Sequence, residues 1–388
     1  MKDFKKLSQQ YMPYMTNMRR AIHQRPGVSF FESETSAFIK KQLDDMGIDY
    51  VSDEIYNIVG VIEGKNPGKR ILLRADIDAL PIQEETGLPF SSEIDGAMHA
   101  CGHDLHTANL LGVAKMLCDI KDELCGSVVL VFQAAEERLS GAYDSLTLLK
   151  PLEPIDGCFA IHVMPDFPTG TVALKKGVLM SGNTPFEIEI TGKGGHGSSP
   201  WQSLDPIKPA CEIVLRLASL AATRFSAFDP VVINPCMVSG GTTINIIPDK
   251  AYIKGNTRFF RPELVDKVMS EITTVVENIC ASYGVSYDIQ FIKHPAPPVI
   301  NDDDAVDFAE KICDIEGLKF KYEETAWAGS DDYAEFLKCY GGLYTFMGDL
   351  KEGDSLVPIH TSKYSPDEST LEYMFQFMSS YTYHFLND

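Results

Sequence analysis

The stretch Ala100-Cys101-Gly102-His103-Asp104-Leu105-His106-Thr107 places a thiol, a carboxylate and two imidazoles within a single short segment. Further along, Phe132-Gln133-Ala134-Ala135-Glu136-Glu137 places two adjacent carboxylates at the end of an apolar run. Imidazole, thiolate and carboxylate groups are the ligands that first-row divalent metals select. One of two adjacent carboxylates can bind a metal while its neighbour transfers protons. Together the two stretches predict a metal-dependent hydrolase.

The segments around these stretches read as alternating strands and helices. Strands are predicted over residues 58–62, 70–76, 127–132 and 157–163, and a helix over 109–118. This alternation is typical of parallel βαβ units in an α/β fold. Metal-type side chains stand where these strands end, at Asp78, Glu136, Glu137 and His162. Because open α/β sheets bind ligands at the carboxyl ends of their strands, we expect these side chains to meet in one crevice.

The pattern changes near residue 183. Six elements then follow in the order β-α-β-β-α-β, over residues 186–191, 207–222, 231–238, 251–259, 262–283 and 285–292. This order is that of the split βαβ, ferredoxin-like unit. At 388 residues the chain also exceeds the roughly 250–300 residues at which a single core stops growing. We expect a discontinuous catalytic domain over residues 1–180 and 296–388, with an inserted domain over residues 181–295.

Composition narrows the possible partners and location. The formal net charge of -21 argues against a nucleic-acid partner, because phosphate backbones are bound by clustered Lys and Arg. The nine cysteines are odd in number and contain no Cys-x-x-Cys pair, which favours free thiols over a disulfide framework. The first 24 residues lack the apolar centre of a signal peptide, and no apolar run approaches the ~20 residues that span a bilayer. We therefore expect a cytoplasmic protein with no membrane partner.

These motifs give the sequence a resemblance to the M20 family of metallopeptidases and amidohydrolases. It is most similar to the subgroup that cleaves N-acyl amino acids, such as hippurate and auxin-conjugate hydrolases. The most specific motifs are Met98–Thr107 and Glu136-Glu137; weaker ones occur in the family's order at Arg19-Arg20, Arg74–Pro81, Gly192–Pro200, Thr242–Pro248, Gly329–Tyr333 and Ile359-His360. The resemblance implies a phosphorylase/hydrolase-like zinc-peptidase catalytic domain with an inserted ferredoxin-like α+β domain that serves as lid and dimerisation domain.

The resemblance also implies roles for residues of the catalytic domain. Two divalent ions, from among Zn, Mn, Co and Ni, would be held by Cys101, His103, Glu137, His162 and His360. Glu136 would be the general base, taking a proton from the attacking water and passing it to the leaving amine. Asp78 would orient a ligand or the base by hydrogen bonding. Asp76 stands where some relatives carry a metal-binding histidine, and it is not expected to be a ligand.

Three residues of the inserted domain match positions that act on the substrate. In relatives the histidine at the place of His196 reaches the active site of the partner subunit and stabilises the oxyanion. Asn245 and Arg258 match positions that hold the substrate carboxylate, which suits the bidentate fork of an arginine. Trp201 departs from the family's usual histidine and makes the pocket rim bulkier. The resemblance thus implies a homodimer through the inserted domain and a small-molecule N-acyl amino acid as substrate.

Two alternatives to an amidohydrolase remain. A dipeptidase or aminopeptidase on the same scaffold would bind a free substrate amine, and the acidic residues that this requires are not evident near Asn245 and Arg258. A catalytically silent metal-binding protein would be marked by loss of Glu136, which is present. The sequence favours hydrolysis of acyl–NH–CHR–COOH to a carboxylate and an amino acid.

Overall fold

The structure is a computed structural model that describes residues 2–388. Its first compact unit comprises Met1–Leu179, Ile300–Thr325 and Asp332–Asp388, and its second comprises Met180–Val299 and Ala326–Asp331. The inserted domain was predicted to begin after residue 180 and to end at residue 295. In the structure the chain passes into the second unit after residue 179 and returns to the first unit after residue 299. The short segment Ala326–Asp331 was predicted within the catalytic domain but clusters with the second unit. No helix among the described residues is both long and apolar enough to cross a bilayer.

Helices and strands alternate through most of the chain. The helices are α1 Phe4–His23, α2 Ser33–Met46, α3 His103–Asp119, α4 Gly141–Leu149, α5 Ile207–Arg224, α6 Val265–Tyr283, α7 Asp303–Glu316, α8 Ala334–Tyr340 and α9 Thr370–Asn387. The strands are β1 Tyr50–Ser52, β2 Ile58–Glu63, β3 Asn66–Asp76, β4 Cys125–Gln133, β5 Gly157–Pro168, β6 Thr171–Leu174, β7 Gly177–Met180, β8 Phe186–Thr191, β9 Gly195–His196, β10 Val231–Gly240, β11 Ile246–Ile247, β12 Lys250–Phe259, β13 Ser286–Phe291, β14 Val299–Asn301, β15 Lys319–Tyr322 and β16 Gly342–Leu350.

The first unit is built on an eight-stranded mixed sheet in the order β1-β2-β4-β3-β5-β16-β6-β15. Its four central strands, β4, β3, β5 and β16, are parallel neighbours, as the alternating pattern predicted. Strand β4 reads Val128-Val129-Leu130-Val131-Phe132 and is buried along this run, because strands covered on both faces need apolar side chains on both. Helices α1, α3 and α9 contribute Met15, Leu111 and Phe375 to the same core. The predicted α/β class is thus confirmed.

Two local predictions at the carboxyl edge of this sheet were wrong. Helix α3 was predicted to begin at Asn109 but begins at His103, so the histidine cluster forms its first turn. His162 was predicted at the end of a strand, but β5 continues to Pro168. Strand β3 accompanies β5 only as far as the pair Arg74↔Ala160. His162 therefore lies just beyond the point at which β5 loses that neighbour, which places it at the same edge.

The second unit contains a four-stranded antiparallel sheet in the order β10-β12-β8-β13. The predicted β-α-β-β-α-β order is confirmed, and this spatial order is that of a ferredoxin-like unit. Strand β12 alternates buried and exposed residues, because helices α5 and α6 cover only one face of the sheet. A separate two-stranded ribbon, in which β9 pairs with β11, was not predicted; it sets His196 opposite Ile246.

Candidate metal centre

The five side chains predicted as ligands converge at the carboxyl edge of the large sheet. Cys101 Sγ lies 3.4 Å from Nε2 of His162 and 3.2 Å from Nε2 of His360. The same His360 nitrogen lies 3.2 Å from Oε1 of Glu137. Nε2 of His103 lies 4.0 Å from that oxygen and 3.9 Å from Oε2 of Glu136. Two of the resulting ligand groups share the Cys101 sulfur, each with its donor atoms within 4.8 Å of one another.

The side chains present fit divalent metal ions. Nε2 of His103 and Oε1 of Glu137 are both buried and have no hydrogen-bond partner. Such atoms are rare in proteins, and each one calls for an explanation such as an ion. Burial, followed by the charges of Glu137 and Glu136, raises the pKa of the Cys101 thiol well above its usual range. A cation among these groups reverses that effect, since a coordinating thiol is deprotonated.

Asp78 contacts both His103 and the turn that carries Glu137. Nδ1 of His103 donates to the backbone oxygen of Asp78 at 2.9 Å and lies 3.3 Å from Oδ1. This fixes the tautomer that leaves Nε2 for a metal ion. Oδ2 of Asp78 accepts from the Glu137 amide at 3.0 Å and from the Ser29 hydroxyl at 2.7 Å. Burial disfavours a charged His103 imidazole, but Asp76 and Asp78 outweigh it and raise its pKa to about 10, so the field at Nε2 favours a cation.

His106 and Asp76 lie beside the ligands but use their atoms in hydrogen bonds. Nδ1 of His106 donates to Oδ1 of Asp76 at 2.6 Å, and its Nε2 accepts from the Val163 amide at 2.9 Å. Both ring nitrogens are therefore occupied. Burial disfavours the Asp76 carboxylate, but Arg74, which donates to it at 2.6 Å, and the neighbouring histidines hold its pKa well below the usual range. The backbone oxygen of Val163 in turn accepts from Nδ1 of His162 at 2.5 Å, which leaves Nε2 of His162 facing Cys101.

Two backbone features allow these side chains to meet. Gly102 has a φ of +85°, and a Cβ at this position would lie 2.3 Å from Cγ2 of Val163. His360 has a φ of +62° and donates its amide to the backbone oxygen of Ala100 at 2.7 Å. Glycine adopts such a φ without strain, whereas a left-handed residue that is not glycine, such as His360, is strained; residues of that kind concentrate at functional sites, where the surrounding structure holds them.

Gly102→Ala should lower the free energy of unfolding by about 2–5 kcal/mol, the sum of a left-handed alanine and an overpacked contact. Gly47→Ala is the matched control, because Gly47 also has a left-handed φ of +68° but has nothing within 4 Å of an added Cβ. The control should lose only the conformational part, about 1–2 kcal/mol. Urea unfolding of both variants measures the difference. Equal losses in the two variants would show that the contact with Val163 does not contribute to the destabilisation.

Of the residues predicted to face the substrate, His196 and Asn245 lie at the two-stranded ribbon and Arg258 lies on β12. His196 is exposed, and its Nδ1 accepts from the Ser198 amide at 3.2 Å, so its proton is on Nε2. The amide of Gly197 donates to the backbone oxygen of Asn245 at 2.9 Å, which holds Asn245 next to His196. Arg258 is half-buried; its Nε and Nη1 donate to the backbone oxygens of Ala328 and Thr257, both at 2.7 Å. Two of the nitrogens predicted to bind a carboxylate are thus already used in part.

Sequence reasoning missed two residues of the first unit that bind neighbours of the candidate ligands. The Ser29 hydroxyl donates to Asp78, and Oε1 of Glu32 accepts from the amide of Ala135, next to Glu136, at 2.8 Å. Both residues lie far from their partners along the chain. No local pattern marks either of them.

Comparison with known proteins relates the chain to a family of peptidases and amidohydrolases. The model of peptidase family M20/M25/M40 matches residues 72–384. The chain is 34% identical to "Thermostable carboxypeptidase 1" of Saccharolobus solfataricus, with 92% of each chain covered. It is 38% identical to "N-acetylcysteine deacetylase" of Bacillus subtilis (86% of this chain and 88% of the relative), and 35% identical to "IAA-amino acid hydrolase ILR1-like 2" of Arabidopsis thaliana (94% and 84%). The crystal structure of Bacillus subtilis YXEP, a dinuclear metal-binding peptidase, superposes with a TM-score of 0.79 at 33% identity, covering 97% of this chain and 99% of the other.

Proposed function

The chain belongs to peptidase family M20/M25/M40, and we propose that it is a two-metal amidohydrolase that cleaves N-acyl amino acids into a carboxylate and a free amino acid. The observation that carries the proposal is the Glu136 carboxylate, which lies 3.9 Å from His103 Nε2 at the edge of a buried cluster of thiol, imidazole and carboxylate ligands. The nine free thiols support a cytoplasmic location.

Cys101, His103, Glu137, His162 and His360 would hold the two ions, which when bound polarise the scissile carbonyl and lower the pKa of water. Glu136 accepts the proton of the attacking water and delivers it to the leaving nitrogen. Asp78 keeps Nε2 of His103 directed at the centre, because it binds Nδ1. His196 donates from Nε2 to the oxygen that becomes negative in the tetrahedral intermediate. Asn245 and Arg258 hold the substrate carboxylate.

The relatives support an N-acyl substrate, since two of the three are named for removing an acyl group from an amino acid. The relative named as a carboxypeptidase keeps a peptide substrate as the alternative. The discriminating experiment compares hippurate and N-acetyl-L-methionine with the free-amine dipeptide Ala-Gly, on protein loaded in turn with Zn, Mn, Co and Ni. We expect kcat/KM to favour the N-acyl substrates by about 100-fold or more, because a charged amine is costly to desolvate where an acyl group should bind. Faster release of glycine from Ala-Gly would instead establish a dipeptidase.

We also propose a homodimer through the second unit. Strand β10 is at an edge of its sheet and exposes Val232, Met237 and Val238. Exposed apolar sheet edges are usually paired or covered, and two-fold pairing is the commonest closed arrangement. In such a dimer each site would combine one subunit's Glu136 with the partner's copy of His196.

Mixing His196→Ala subunits with Glu136→Gln subunits should restore activity, because one of the two sites in a hybrid dimer has both groups intact. Hydrolysis of N-acetyl-L-methionine is measured after subunit exchange has been verified. The control mixes Glu136→Gln with Cys101→Ala subunits; both lesions fall in the metal centre, so its hybrids contain no intact site. A verified His196→Ala hybrid with no more activity than the control would mean that His196 acts within its own chain, and full activity of unmixed His196→Ala protein would mean that it does not act at all.

A further inference from the structure

Glu136 and Glu137 are consecutive residues whose carboxylates face the same atom. Oε2 of Glu136 and Oε1 of Glu137 lie 3.9 and 4.0 Å from Nε2 of His103. Successive side chains of a strand point to opposite faces, so the extension of β4 could not present both. The strand must therefore be interrupted before Glu136.

The interruption is a left-handed residue that is not glycine. Strand β4 ends at Gln133, Ala135 has a φ of +53°, and Glu136–Arg138 form a 3₁₀ turn. A left-handed conformation costs an L-residue about 1–2 kcal/mol. Such a conformation persists only where the surrounding structure holds it.

Three side chains from separate segments hold the amides on either side of Glu136. Oδ1 of Asn57 accepts from the Ala134 amide at 2.8 Å, and Oδ2 of Asp78 accepts from the Glu137 amide at 3.0 Å. Between them, Oε1 of Glu32 accepts from the amide of Ala135, the left-handed residue itself, at 2.8 Å. Glu32 is thus the one of the three that binds the strained peptide.

Glu32 is the residue that precedes helix α2, and its side chain is fully buried. Its other carboxyl oxygen has no hydrogen-bond partner, and no ion pair involves Glu32 among residues 2–388. Burial, reinforced by the neighbouring Asp78, raises the pKa of Glu32 to about 7. The Ala135 amide is thus bound by a buried acceptor oxygen whose position is set by the length of the Glu32 side chain.

We infer that Glu32 is a positioning residue, which holds the Ala135 peptide in its left-handed conformation and thereby directs the proton-transfer carboxylate of Glu136 and the ligand carboxylate of Glu137 to the same centre. The inference rests on the proposed function for the roles of those two glutamates.

The test compares Glu32→Gln, which keeps the acceptor and its reach but removes the acid, with Glu32→Asp, which keeps the acid but is shorter by one methylene. Glu32→Gln should retain kcat and metal affinity close to those of the wild type. Glu32→Asp should lower kcat by about 100-fold, as expected for misplaced reacting groups, with a smaller change in KM. It should also weaken metal binding by about 10-fold, measured by chelator competition, because Glu137 is displaced as well.

The variant Ile62→Ala tests whether a loss of stability alone could explain a lower kcat in Glu32→Asp. Ile62 is a buried residue of β2 that pairs with Val128, at the opposite end of β4 from the turn. This control should lower the midpoint of thermal unfolding yet leave kcat unchanged. The inference is overturned if Glu32→Asp matches the wild type, or if Glu32→Gln is the more damaged of the two. If the wild type does not hydrolyse N-acyl amino acids, the proposed function fails, while the metal affinities of the two variants still test the role of Glu32.

Discussion

Glu136→Gln should leave both metals bound and lower kcat for N-acetyl-L-methionine by about 10³–10⁴-fold. The amide keeps the size of the side chain but cannot accept the proton of the attacking water, and general acid–base catalysis contributes up to about 10⁴-fold. Metal content by mass spectrometry and steady-state kinetics are measured on the same preparation. Glu123→Gln, an exposed acid in the turn after α3, is the matched control and should match the wild type in both. Near-normal turnover in metal-loaded Glu136→Gln would reject Glu136 as the base.

Cys101→Ala should lose metal and activity together. Its sulfur lies within 3.4 Å of both His162 and His360, so removing it takes a donor from both ligand groups. We expect bound metal to fall below two ions per chain and kcat to fall by about 10³-fold or more, since the chemistry depends on these ions. Cys339→Ala, at an exposed thiol, should change neither quantity.

The wild-type thiol offers an independent check. Alkylation of Cys101 should be slow in metal-loaded protein and fast after chelation. A trapped thioester between substrate and Cys101 would contradict the ligand role and indicate a nucleophile.

The sequence predicted β8, whose periodicity is visible, more fully than helix α3, which is buried all round at its start. The alternation in Phe186–Thr191 predicted β8 to the residue, because one face of that strand is buried and the other is not. Helix α3 is different, since nearly every side chain of its first three turns is buried. A helix of this kind has no polar face, so its polar first turn read as a loop and only the apolar part was predicted.

Residue type and spacing predicted the candidate ligands that the structure brings together, but not the residues that hold them in place. Cys101, His103 and Glu137 stand out because few other roles need those side chains in that order. Nothing in the sequence predicts the contact between Glu32 and Ala135. The two residues are 103 positions apart, and an alanine gives no indication that its backbone is left-handed. Contacts of that range become visible only once the fold has brought the segments together.

The central claim is that hydrolysis of N-acyl amino acids depends on metal ions held by Cys101, His103, Glu137, His162 and His360. Its most direct test is release of methionine from N-acetyl-L-methionine by chelated protein, before and after two equivalents of Zn, Mn, Co or Ni are added. We predict no release from the metal-free protein, and turnover on reconstitution with at least one of the four ions. Release by metal-free protein, or no release although two ions are bound with each of the four metals, would contradict it.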